Sequence, residues 1–129
     1  MKDTVKFNGY MIKKFVFEKI EKIPKEKKEN FTLKCDVFSN DDKGKENCYC
    51  VSLSIDMFTD KSKLELTMNG YFEFPKKFDD TLKKEFLDVT APAILYPYIR
   101  TFISNVTSFD IDNTVVLPVI NFADKANRE

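Results

Sequence analysis

Residues 5–18 carry apolar side chains on both parities of an extended chain. Val5, Phe7, Met11, Phe15 and Phe17 share one parity, and Tyr10, Ile12 and Val16 take the other. A segment this rich in β-branched and aromatic residues predicts a long first strand, partly covered on both faces, with a bulge near Gly9 and a role in assembly. Residues 19–30 are mostly lysine and glutamate and include Pro24, which predicts a solvated crossover loop. Phe31, Leu33, Cys35 and Val37 then alternate with Thr32, Lys34 and Asp36. After a polar hairpin loop over 39–47, Tyr49, Val51, Leu53, Ile55 and Met57 alternate with Cys50, Ser52, Ser54 and Asp56. A tight turn at Asp60-Lys61 would set Ile55 opposite Leu66 and Leu53 opposite Met68. Leu64, Leu66, Met68, Phe72 and Phe74 then lie on the same side, and Glu65, Thr67, Asn69 and Glu73 face water.

Pro75 ends this pattern and Asp79-Asp80 supply a helix N-cap. Leu82, Phe86, Leu87 and Val89 keep helical spacing up to Pro92, followed by Ile94, Leu95, Tyr98, Ile99, Phe102, Ile103 and Val106. Pro97 is expected to kink or restart that helix. The stretch 111–122 is extended and apolar, interrupted by Pro118, and 123–129 reads as frayed. The fold class is therefore α+β: a four-stranded antiparallel sheet with a long proline-kinked helix on one face, in a single domain spanning 1–129.

Composition narrows the chemistry. The chain has no histidine and only 3 glycines, so the usual general base and a phosphate-cradling loop are both missing. Lys+Arg and Asp+Glu both total 21, which argues against nucleic acid as a partner. Cys35, Cys48 and Cys50 form an odd set behind no apolar leader, and no run is long enough for a membrane span, so a cytoplasmic protein without membrane insertion is expected. Cys48-x-Cys50 with Cys35 lacks a convincing fourth ligand for zinc, so neither a metal nor another cofactor is expected. Asp110 and Asp112 read as a turn rather than a catalytic acid pair. The excess that stands out is 13 Phe and 5 Tyr, more rings than one sheet and one helical layer need for a core.

Ile94-Leu95-Tyr96-Pro97-Tyr98-Ile99-Arg100, followed by Ile103-Ser104, resembles the signature of the SecB export-chaperone family, whose closing apolar segment is echoed by Leu117-Pro118-Val119-Ile120-Asn121-Phe122. The first strand and the order of elements agree with that family. Three departures stand out: the extra Ile120, Lys14 where an acid would align, and only 7 residues after Phe122, leaving the family's second helix largely without a counterpart.

The resemblance implies a homotetrameric, ATP-independent holdase without enzymatic activity. Its partners would be unfolded client polypeptides and either the motor SecA or an antitoxin of a toxin–antitoxin module. A small-molecule or lipid-binding module on the same scaffold is the alternative from another class. On this reading Phe31, Leu33, Met68, Phe72, Phe74, Phe78 and Tyr96 are candidates for polypeptide binding. Phe7, Phe15, Phe17, Tyr98, Phe102 and Val106 are candidates for subunit contact, and Glu18, Glu65 and Glu73 for docking a partner.

Overall fold

A computed structural model describes residues 4–21, 31–40, 47–59, 61–111 and 114–123. The loops expected over 19–30 and 39–47, and the frayed end over 123–129, fall largely outside the described residues. Four strands, β1 (Lys6–Lys19), β2 (Phe31–Ser39), β3 (Cys48–Phe58) and β4 (Ser62–Glu73), form one antiparallel sheet in the order β1-β4-β3-β2. The expected register of the central pair is observed, with Leu53 opposite Met68 and Ile55 opposite Leu66. Period-two alternation thus places Val51, Leu53, Ile55, Leu64, Leu66, Met68 and Phe72 on one buried face. Each such side chain contributes about 1.5–3 kcal/mol when fully buried.

The first strand departs from simple alternation. Its pairing with β4 shifts register twice, between Phe7 and Gly9 and between Ile12 and Lys14. The first shift is the bulge expected near Gly9, whose φ of 116° is open to glycine alone at low cost. The second, at Lys13, has no counterpart in the sequence pattern. Each bulge switches parity, so Phe7, Tyr10, Ile12, Phe15 and Phe17 all end on the buried side, opposite Phe72, Gly70, Met68, Leu66 and Leu64. Met11, opposite Asn69, turns to the outer face with Val16, opposite Glu65. The parity grouping read from the sequence is corrected accordingly: one face of β1 holds most of its apolar load, and the second face is sparse.

Helix α1 (Asp80–Glu85) begins where expected, with the Asp79 carboxylate accepting from the Leu82 amide at 2.9 Å. It passes through a π turn (Phe86–Thr90) into α2 (Ala91–Thr107). The Ala91 amide donates to the Phe86 carbonyl, the wider π spacing. Pro92, which has no amide to donate, follows directly. The helix does not restart at Pro97 but runs through that residue to Thr107, and a departure from α geometry lies in the π turn before Pro92. Leu95, Ile99 and Ile103 of α2 close the core over β3 and β4. Beyond the helix, 114–121 is extended but joins no strand ladder.

Candidate polypeptide-binding surfaces

The seven residues nominated for polypeptide binding separate into two groups. Met68, Phe72, Phe74 and Tyr96 lie in the chain's own core, because β4's alternation aims the first two under α2. Phe31, Leu33 and Phe78 are half-buried at its margin. Phe72, Phe74 and Phe78 do meet, in an aromatic cluster where β4 hands over to α1. Phe74 packs edge-on against Phe78 at 5.1 Å, Phe86 at 5.4 Å and Tyr49 at 5.5 Å. Phe72 meets Phe7 at 5.1 Å and Phe86 at 5.5 Å. The Lys83 ammonium stands 5.5 Å from the ring centres of both Tyr49 and Phe74. Tyr96 is elsewhere, edge-on to Phe122.

Four of the six residues nominated for subunit contact meet in pairs within the chain. Phe15 packs edge-on against Phe102 at 4.9 Å, and Phe7 lies 6.4 Å from Tyr98. Phe17 and Phe102 are half-buried against the core, and Val106 is half-buried on the same helix. Tyr10 stacks on Tyr98 at 4.5 Å, and both stay open to solvent at 45% and 42%. Simple parity sets Tyr10 on the opposite face; only the Gly9 bulge brings it to the helix.

The outer face of the sheet carries Glu18, Glu65 and Glu73, and each acid has a basic or amide neighbour. Glu65 pairs with Lys14 at 3.6 Å and Lys63 at 3.8 Å. Glu18 lies opposite Lys63 and Glu73 opposite Lys6, and the Asn8 amide donates to Glu73 at 3.4 Å. The face is therefore of mixed sign. Cys48 and Cys50 share it and line a cleft of about 260 Å³ with Phe38, Tyr71, Asn8 and Asn40. Burial pushes the Cys50 thiol up, against the opposing pull of Lys13 and a hydrogen bond with Tyr71. Cys35, opposite Leu53, belongs to the other face, so the three thiols do not converge. Asp110 is engaged by Lys19, tying the end of β1 to the turn after α2.

The tail is positioned by hydroxyl groups that sequence reasoning passes over. The Val115 amide donates to Thr107 Oγ1 at 2.8 Å, and Thr107 in turn donates to the Ile103 carbonyl at 2.7 Å. Ser104 donates to the Val115 carbonyl at 3.2 Å, and the Tyr96 hydroxyl to the Pro118 carbonyl at 2.6 Å. Burial pushes the Tyr96 phenol up, with Arg100 opposing it. Tyr96, Ser104 and Thr107 recur along one side of α2, but their role depends on a partner segment whose course no local pattern reveals.

The fold is thus one antiparallel sheet under a single helical layer, with aromatic side chains left at its rim. The chain matches the family model for preprotein translocase subunit SecB over residues 2–125 and belongs to that family of chaperones, which are not enzymes. The uncharacterized protein MJ0357 of Methanocaldococcus jannaschii is 27% identical over 128 residues, covering 95% of this chain and 82% of the relative. The fold is similar to that of the Mycobacterium tuberculosis SecB-like chaperone Rv1957, solved in complex with a ChAD peptide from the HigA1 antitoxin Rv1956. The TM-score is 0.64 at 12% identity, over 90% of each chain. A Streptococcus agalactiae protein of unknown function gives a TM-score of 0.63 at 10% identity, over 91% of this chain and 98% of that one. Among the described residues, no helix is long and apolar enough to cross a membrane.

Proposed function

We propose that this chain is a cytoplasmic, ATP-independent holdase that binds unfolded polypeptide through apolar surface and releases it to a downstream partner. The observation that carries this reading is the apolar surface left over once the chain's own core is complete. Val37 and Phe38 stand open on β2, Met11, Tyr10 and Tyr98 at the β1 edge, and Val116 and Val119 on the tail. Apolar shelves of this kind hold extended chains with little demand on sequence, and binding the unfolded state suppresses aggregation by mass action. Phe31, Leu33 and Phe78, half-buried at the margin, are the nominated client residues that a polypeptide reaches without opening the core. Added to an unfolding client without nucleotide, the protein should slow the growth of light scattering at near-stoichiometric amounts. Failure with several clients, together with tight fatty-acid binding, would favour a lipid module instead.

The chain works as an oligomer in this reading, a homotetramer by family resemblance, with the exposed Tyr10–Tyr98 pair covered by a second copy. A monomer by light scattering across micromolar concentrations would overturn that. A second reading, service to an antitoxin, is favoured by the fold shared with Rv1957 and by the mixed charge of the outer sheet face, which suits an acid-seeking motor poorly. Exposed ion pairs contribute about 0–1 kcal/mol each, so SecA binding through Glu18, Glu65 and Glu73 should be weak and salt-sensitive. Submicromolar affinity for the motor's C-terminal segment that survives moderate salt would restore the export role.

A further inference from the structure

We propose that the channel along α2 filled by residues 114–123 is a binding site for extended apolar polypeptide, with the chain's own tail as its tethered competitor. The proposal rests on the holdase reading above. The tail has the geometry of a bound peptide rather than of a strand. Over 114–121 it is extended and outside any ladder, and it turns side chains inward and outward: Val115 and Leu117 are buried, Val116 is 70% exposed and Val119 82% exposed, before 122–123 turn helical. Phe122 adds a third anchor, against the Tyr96 ring. Three hydroxyl contacts from α2 fall on tail backbone atoms. Thr107 Oγ1 accepts from the Val115 amide, and the Ser104 and Tyr96 hydroxyls donate to the carbonyls of Val115 and Pro118.

Those are groups that any polypeptide offers, so the site asks for apolar side chains at the first and third positions of an extended segment, with Ile120 and Phe122 adding contact at its far end. The tail's outward valines add nothing to the core, and Pro118 has no amide with which to join a ladder. A segment held by a few side-chain hydrogen bonds and three anchors opens locally at less cost than the sheet. The apparent affinity for a client is then the intrinsic affinity reduced by the fraction of time the channel is open.

The test uses the full-length chain and a fluorescein-labelled synthetic peptide with the sequence of residues 114–123, followed by anisotropy. Leu117→Ala removes an anchor from the tail alone and should tighten peptide binding by about tenfold or more. Ser104→Ala removes one backbone contact, shared by tail and peptide, and should speed hydrogen exchange of the 114–121 amides without unfolding the sheet. Peptide affinity that is equal or weaker in Leu117→Ala, or tail amides of Ser104→Ala that exchange only with the sheet core, would overturn the proposal. Peptide exchange is read separately from client protection. A protein that protects clients but shows no gain in Leu117→Ala refutes this site alone; one that gains peptide affinity without protecting clients refutes the holdase reading and leaves the site intact.

Discussion

At Gly70 the helix packs directly onto the sheet, and Gly70→Ala tests how the core is closed. Gly70 lies in β4 between Tyr10 and Val51, with Leu95 of α2 seated directly on it. A Cβ added there would fall 2.8 Å from Leu95 Cδ1 and 3.0 Å from Leu95 Cγ, with Cδ2 closer still. Leu95 is fully buried, so its methyl groups cannot swing into solvent to relieve the clash. Overpacking of this kind costs about 1–3 kcal/mol. Replacing glycine also lowers the entropy of the unfolded chain, which offsets about 0.4–1 kcal/mol. The net expectation is a destabilisation of roughly 0–2.6 kcal/mol, with a mid-range value on the order of 5 °C in melting temperature for a domain this size.

A urea or thermal titration at fixed protein concentration reads the single variant, and a double-mutant cycle with Leu95→Ala reads the cause. Leu95→Ala alone should cost about 2–5 kcal/mol by leaving a cavity. In that background the methyl group added at position 70 has room, so the second substitution should be neutral or stabilising and the coupling about 1 kcal/mol or more. A stabilising Gly70→Ala in the natural background, or two effects that simply add, would refute the reasoning.

Three further outcomes are expected. Thr107→Val leaves the buried Val115 amide without its acceptor and should cost roughly 1–3 kcal/mol in denaturant titration, with Thr107→Ser recovering most of it. Phe102→Asp places a charge against Phe15 in a half-buried position and should cost about 2–3 kcal/mol; it should also lower the mass seen by light scattering if the helix face supports assembly. Changing Cys35, Cys48 and Cys50 to Ser should leave client protection intact. In the natural chain iodoacetamide at neutral pH should reach the exposed Cys35 before Cys50, whose partial burial shields the thiol and disfavours its thiolate.

Much of the architecture was legible because it depends on short-range pattern. Strict alternation in 31–37, 49–57 and 64–72 determines which side chains share a face, and the short connection between Phe58 and Ser62 limits the β3–β4 register, since both act through the period of an extended chain. The Asp79 cap is equally local. The Ile94 to Ser104 motif, read as a family resemblance, pointed to the same fold.

What alternation could not supply was the face of each residue in β1. Two bulges reverse parity there, and the one at Lys13 carries no glycine or other local mark; it exists because β4 offers a fixed row of partners that a bent edge strand must match. The π turn before Pro92 likewise joins two segments whose spacing reads as ordinary helix. The functional surfaces were the least legible part. Whether Phe72, Phe74 and Tyr96 are core or rim depends on what lies above them: Phe78 and the π-turn Phe86 for the first two, and for Tyr96 a tail that joins no ladder and is held by Tyr96, Ser104 and Thr107. Residues far apart in sequence meet there through backbone atoms, which carry no sequence signal, so only the tertiary structure decides which aromatic side chains close the core and which remain for a partner.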